Sequence, residues 1–284
     1  MGLRINTNVP ALVAQRNLRW NRGNLDKSLE RLSSGSRINH AGDDAAGLAI
    51  SESLRAQIKG LGQAERNAQD GISVVQVAEG AMAEVSNIII RMRELAVQAS
   101  SDTVGPNERR FLDLEFSQML EEIDRIAHST EYNGVPLLSG GSATFEIQIG
   151  TRNNPLVDRV KLFDPYTTDV NIVSLGINLA TVADKASAQN SLAALDGALQ
   201  KITSIRAEFG AMQNRMQSII NNIMIAKENL SSANSRIRDT DIAEETSELT
   251  KNNILMQSGV AVLGQANQSI KTALSLIGSS AMNG

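Results

Sequence analysis

Residues 195–237 read LDGALQKITSIRAEFGAMQNRMQSIINNIMIAKENLSSANSRI. Every seventh position is apolar: Leu195, Ile202, Phe209, Met216, Ile223, Leu230 and Ile237. A companion series runs through Ile205, Met212, Ile219, Ala226 and Ala233. Seven-residue spacing kept over that length specifies a coiled-coil-like helix, because slight under-winding holds both stripes on one seam. At 1.5 Å per residue the stretch makes a rod of roughly 63 Å. Gly210 lies inside the pattern and costs about 1 kcal/mol relative to Ala, which weakens the helix locally without ending it.

The first half of the chain repeats the device. Leu54, Leu61, Ala68, Val75, Met82, Ile89 and Ala96 form one series, with Ala78, Val85, Met92 and Ala99 alongside. Asp43-Asp44 upstream supplies carboxylates for the cap and first turn, where the free N–H groups of a helix attract negative charge. Gly105-Pro106 breaks the helix. A shorter one follows, with Leu112, Phe116, Met119, Ile123 and Ile126 at alternating spacings of four and three, and Pro106 suits its first turn. It is expected to fold back as an antiparallel hairpin.

Both extremities carry further stripes. Ala11, Leu18, Leu25 and Leu32, joined by Leu29, form the first; Ile242, Leu249, Met256, Leu263, Ile270 and Ile277 form the second. One stripe on an isolated helix cannot offset the entropy of ordering its backbone. Each end therefore needs a partner, either the other end or another molecule.

Between the halves, Tyr132-Asn133-Gly134-Val135-Pro136, Asn153-Asn154-Pro155 and Gly140-Gly141 are turn signals. Thr144 to Ile149 alternates with period two, as do Val160 and Leu162, which predicts a small β-hairpin region over roughly 131–180. The fold expected is mainly α: a long antiparallel coiled-coil-like bundle built from both chain halves. Its segments are expected at 1–42, 43–130, 131–187, 188–239 and 240–284, the third holding the hairpins.

Composition excludes several chemistries. The chain has 27 basic and 31 acidic residues, a net charge of −4, with no block of one sign to mark a nucleic-acid arm or a polybasic membrane patch. It has no cysteine, hence no disulfide, thiolate ligand or cysteine nucleophile. No apolar run approaches the roughly 18–20 residues of a membrane span. The opening MGLRINTNVPALVAQ lacks an apolar core followed by a cleavage site, so no cleaved secretory signal is expected. Asp43-Asp44 and Glu121-Glu122 are adjacent carboxylates, which a helix points about 100° apart, so caps and solvated faces are the expected roles. His40 and His128 lack metal-site spacing, and Gly42 and Gly47 lack the strand and lysine of a phosphate loop. Met82, Met92, Met212 and Met216 fall on the stripes and read as core. No catalytic residue, cofactor or metal is expected.

Specific motifs then narrow the reading. Arg31-Leu32-Ser33-Ser34-Gly35-Ser36-Arg37-Ile38-Asn39, followed by Ala41 to Ile50, resembles the N-terminal signature of bacterial flagellins. Asn8 to Leu12 and Arg93 to Ala99 resemble further blocks of that half. Gly210-Ala211-Met212-Gln213-Asn214-Arg215, Ser232 to Asp239 and Leu263 to Gln268 are similar to its C-terminal pattern. The resemblance covers about the first 140 and last 100 residues. It implies a structural subunit that is exported without cleavage through a type III apparatus, escorted by a chaperone on its C-terminal region, and polymerised into an extracellular helical filament for motility. It also implies terminal helices that line the filament core, where the stripe residues Leu18, Leu25, Leu29, Leu32, Leu249, Met256, Leu263 and Ile270 are expected to make the self-assembly contacts. Cap and hook–filament junction proteins are the implied further partners. Some flagellins are sensed by a Toll-like receptor; the matching positions are Arg91, Leu95 and Glu115, expected on one exposed patch. The chain departs from many flagellins in having only a short middle segment.

The nearest alternative is the hook–filament junction protein, similar to flagellins at both ends. A flagellin-like metalloprotease would need the HExxH spacing that is missing here. A cytosolic coiled-coil adaptor would not leave the cell.

Overall fold

The computed structural model describes residues 7–140, 144–163 and 168–281. Five helices and two strand pairs follow in order: α1 (Val9–Ser34), α2 (Ala45–Ala99), α3 (Pro106–Ser129), β1 (Glu131–Tyr132), β2 (Val135–Pro136), β3 (Phe145–Gln148), β4 (Arg159–Phe163), α4 (Lys185–Arg238) and α5 (Ile242–Ala281). Gly141 of the Gly140-Gly141 turn signal and the Ile277 side chain lie outside the described residues. The chain divides into two compact units, one of Met1–Ala56 with Leu230–Gly284, the other Gln57–Asn229.

In the second unit the heptad stripes are the core. Ala68, Val75, Met82, Ile89 and Ala96 of α2 are buried, as are Leu195, Ile202, Phe209, Met216 and Ile223 of α4. The two helices run antiparallel: Arg93 Nε meets Asp196 Oδ1 at 2.7 Å, Gln213 Nε2 donates to Glu79 Oε2 at 2.9 Å, and Lys227 Nζ lies 3.0 Å from Glu65 Oε2. Gly210 leaves α4 unbroken. By length and composition α2 could cross a bilayer, which corrects the expectation that no segment approaches a span. Much of its apolar content in this unit belongs to the core, though Val77, Ile90 and Val97 are exposed.

Pro106 opens α3, whose Phe116 and Ile123 enter the same core. Arg109 ties the hairpin by donating to the Ala99 and Ser101 carbonyls, both at 2.8 Å. The Asn-Gly turn joins β1 to β2 with φ of 51° at Asn133 and 76° at Gly134, the pair of positive angles a type I′ turn requires. β3 pairs antiparallel with β4, Ile147 opposite Val160, with an irregularity after Phe145. Val160 and Leu162 point into the core while Arg159 and Lys161 face solvent.

Residues 168–183 carry no regular element beyond turns yet bury Val170, Leu175, Ile177 and Val182. Side chains fasten the segment to the helices. The Asp113 carboxylate accepts from Thr181 Oγ1 at 2.7 Å and from the Val182 N–H at 2.9 Å. Lys201 Nζ donates to the Ser174 carbonyl at 2.8 Å.

Candidate functional site

The first unit is built on α1 and α5. Asn8 caps α1, its side-chain oxygen accepting from the Ala11 N–H at 3.0 Å, and Pro10 fixes the first turn. Gly35, at φ 68°, ends the helix in the left-handed conformation a β-carbon would oppose. Asp241 caps α5 by accepting from Ala243 at 2.8 Å and Glu244 at 3.2 Å.

The two helices lie antiparallel. Asn8 Nδ2 donates to the Ala266 carbonyl at 3.1 Å, and Arg31 reaches Glu245 at 3.4 Å. Between them, Gly259 admits Leu18: a β-carbon there would stand 2.8 Å from Leu18 Cδ2. Beyond the pair, the linkers that leave α1 and enter α5 run side by side. Ser36 bridges to Asp239, the Arg37 N–H donates to the Arg238 carbonyl at 2.6 Å, and the Thr240 N–H donates to the Gly35 carbonyl at 3.0 Å. Ile38 is buried beneath this crossing.

Asp43 anchors the turn that follows. Lys27 Nζ lies 2.6 Å from it, and the N–H groups of Asn39 and His40 donate to its other oxygen at 3.3 and 3.2 Å. The hydrogen bond from Lys27, then that from His40, lower its pKa from 3.8 to about 2. A folded-state value below the unfolded one means the carboxylate stabilises the unit above pH about 4, and the contribution disappears as pH falls toward 2. Asp43→Asn is expected to cost about 1 kcal/mol at pH 7, discounted because Lys27 is half exposed. Acid titrations of helicity should show the two proteins converging near pH 2; a gap that persists there would refute the pairing.

The stripes read from the sequence are divided by this arrangement. Leu18, Leu25, Leu32, Leu249, Met256, Leu263 and Ile270 are half-buried, whereas Leu29 is 49% exposed. The fully buried side chains of the two helices are few and small or polar: Ala11, Ala14, Ser28, Asn252 and Ala266. A second set of large apolar residues faces outward: Leu12, Val13, Trp20 at 73% exposure, Ile254, Leu255, Val260 at 60% and Val262. Sequence reasoning missed this set. Its signal was present in Val13 with Trp20 and Leu255 with Val262, each pair seven residues apart on a different face of the helix from the seam. Each helix therefore has one apolar face turned toward its partner helix and another with none among the described residues. Large apolar side chains turned outward in such number mark a place where another molecule binds.

Of the three residues expected on one receptor-facing patch, two are together. Arg91 on α2 and Glu115 on α3 are exposed and 3.1 Å apart, and Arg91 also reaches Glu94 at 2.9 Å; both carboxylates raise its pKa, Glu94 most. Leu95 is corrected: it is 1% exposed and belongs to the core.

The carboxylate doublets hold their expected places. Asp44 accepts from the Gly47 N–H at 2.8 Å and caps α2, and Glu122 pairs with Arg125 at 2.6 Å. Among the described residues no three His, Asp or Glu side chains converge on a point where a metal could sit.

Comparison with known proteins places the chain. Residues 5–143 match the family model for the bacterial flagellin N-terminal helical region, and 192–277 that for the C-terminal helical region. A flagellin of Halalkalibacterium halodurans is 45% identical, covering 96% of this chain and 99% of its own length. The flagellar filament 33 kDa core protein of Treponema phagedenis is 40% identical over 96% of this chain and 99% of its own. A putative flagellar hook-associated protein of Vibrio parahaemolyticus, 13% identical, superposes with a TM-score of 0.59 over 69% of this chain and all of its own, a likeness of fold alone.

Proposed function

Because the chain belongs to the bacterial flagellin family, we propose that it polymerises with copies of itself through the unpartnered faces of α1 and α5. The family is structural, and the chain is a subunit of the extracellular flagellar filament. The observation that carries the assembly reading is the set of outward apolar side chains, Trp20 on α1 and Leu255, Val260 and Val262 on α5, beside a seam too thin to order two long helices by itself. On this reading 1–42 and 240–284 are the filament-core segments, 43–130 and 188–239 the helical shell around them, and 131–187 the outer hairpin region. Leu18, Leu25, Leu32, Leu249, Met256, Leu263 and Ile270 align the pair, Leu29 lies exposed at the edge of that seam, and the outward face meets the neighbouring subunit. Copies meet head to tail, so the contact does not close on itself and an open helical polymer results.

Weakly ordered terminal helices also suit passage through a narrow type III export channel without cleavage. An apolar face on α5 suits an export chaperone that covers it until assembly. Cap and hook–filament junction proteins would meet the same faces at the two ends of the polymer. Purified protein seeded with filament fragments should grow helical filaments visible by electron microscopy; protein that stays monomeric at high concentration would refute the assembly reading.

Arg91 and Glu115 are the proposed contact for a flagellin-sensing Toll-like receptor, their ion pair offering charge of both signs on adjacent helices, with Leu95 fixing their spacing. Arg91→Ala with Glu115→Ala should reduce receptor signalling by at least about tenfold, as loss of a central charged contact does, with monomer helicity unchanged. Full signalling by that double variant would rule the contact out.

A further inference from the structure

The α1–α5 pair is electrically polarised along its length. From Val9 to Gly23, α1 bears Arg16, Arg19 and Arg22 and no acid. The stretch of α5 beside it, from Leu249 onward, bears Lys251 and Lys271 and again no acid. The other end is reversed. Asn24 to Ser34 with Asp241 to Glu248 holds six acids, Asp26, Glu30, Asp241, Glu244, Glu245 and Glu248, against Lys27 and Arg31. The flanking stretches add nothing to this imbalance: Arg37, Arg55, Arg236 and Arg238 offset Asp43, Asp44, Glu52 and Asp239. One end of the pair is thus strongly basic and the other strongly acidic.

The acidic end contains a cavity. Asp241, Glu244, Glu245 and Glu248 recur at helical spacing along α5 and line a space of about 380 Å³ that Lys27 and Arg31 face from α1 and Arg37 from the linker. Its polar groups are incompletely engaged. Asn252, 5% exposed, and Ser28, buried to the same degree, line it with side chains that make no hydrogen bond among the described residues. Arg31 Nε and Thr240 Oγ1 are buried there without a partner. Buried polar atoms are normally satisfied, so such a cluster calls for an incoming polar group. Among the described residues Glu244 carries no ion pair, and neither do Arg16, Arg19 and Arg22, all exposed at the opposite end.

We propose that the arginines at the basic end of one copy dock on the carboxylate-lined cavity at the acidic end of the next, so that Arg16, Arg19 and Arg22 face Glu244 and Glu248 across the junction. The occupant is a second copy of this chain because both halves of the match are on one molecule, at opposite ends of one antiparallel pair. This deepens the assembly reading above and rests on it. The apolar faces supply area without direction; opposed charges forbid the reverse polarity, since basic end on basic end would set like charges together.

The test measures the critical concentration for seeded growth of the full-length protein. Arg16→Glu, Arg19→Glu and Arg22→Glu together should raise it about tenfold or more, as should Glu244→Lys with Glu248→Lys, because each sets like charge against like. All five changes combined restore opposite signs and should return it to within about threefold of wild type. Unchanged helicity by circular dichroism separates lost docking from lost folding. Wild-type growth, which needs no mutation, should weaken about tenfold between roughly 50 and 500 mM sodium chloride as screening shortens. Wild-type filaments with either single-end reversal at an unchanged critical concentration, or a five-site variant no better than the single-end ones, would overturn the docking while leaving assembly through the apolar faces intact. Growth insensitive to salt would likewise overturn it. Wild-type protein that never elongates seeds would overturn the assembly reading itself.

Discussion

Val75→Asp is expected to lower the melting temperature of the unit Gln57–Asn229 by on the order of 10 °C, and Ile223→Asp by nearly as much. Val75 has no exposed surface and Ile223 is 5% exposed. Val75 sits in the core that α2 and α4 build with α3 and the 168–183 segment, and Ile223 is buried further along the same stripe of α4. A carboxylate placed there has no cation to meet and either loses its hydration or takes up a proton, and each route costs several kcal/mol. A loss of about 4 kcal/mol lowers the melting temperature of a unit this size by on the order of 10 °C. The control is Val77→Asp, two residues on from Val75 but 43% exposed, which should melt within a few degrees of wild type. Equal melting temperatures for Val75→Asp, Ile223→Asp and wild type, followed by circular dichroism, would mean that the stripes are not a shared core.

Trp20→Asp is expected to have the opposite profile, with a normal monomer and no filament. The indole is 73% exposed, so its removal should shift monomer stability by no more than about 0.5 kcal/mol. In the polymer the same position would bury a charge at the centre of a contact, which eliminates growth from seeds at any practical concentration. Leu263→Glu strikes the α1–α5 seam instead. It should also prevent growth, and in addition should speed protease trimming of the monomer toward about Gly42 and Asp239 while the unit Gln57–Asn229 survives. Filaments of normal length from Trp20→Asp would remove the outward face from the assembly contact. Terminal helices of wild-type monomer that resist protease as long as the core does would show that they need no neighbour.

The long helices were legible in the sequence because a seven-residue period leaves no other solution. The stripes ending at Ala96 and beginning at Leu195 mark the buried faces of α2 and α4. The Asn133-Gly134 turn was legible for an equally local reason, since few dipeptides accept two positive φ angles. The segment 168–183 was not, because it is held by distant side chains, Asp113 and Lys201, and period carries no trace of such anchors. Leu95 was misplaced because two stripes on α2 were followed where three exist. Ala81, Ile88 and Leu95 are also seven apart, and that third series is the one enclosed as α3 packs on. The same habit of following one stripe hid Val13, Trp20, Leu255 and Val262. In the bundle a second apolar face means a central helix. On α1 and α5 it means a face with no partner helix among the described residues.

The side-by-side crossing at Ser36 and Asp239 has a mechanical consequence. The two linkers are riveted by backbone hydrogen bonds at Arg37–Arg238 and Gly35–Thr240, antiparallel and transverse to both strands. A pull along α1 therefore loads those bonds in shear, all at once, rather than peeling them one after another. Tension entering through either end of the chain passes across to the other within a few residues, and the two termini bear it as one cable.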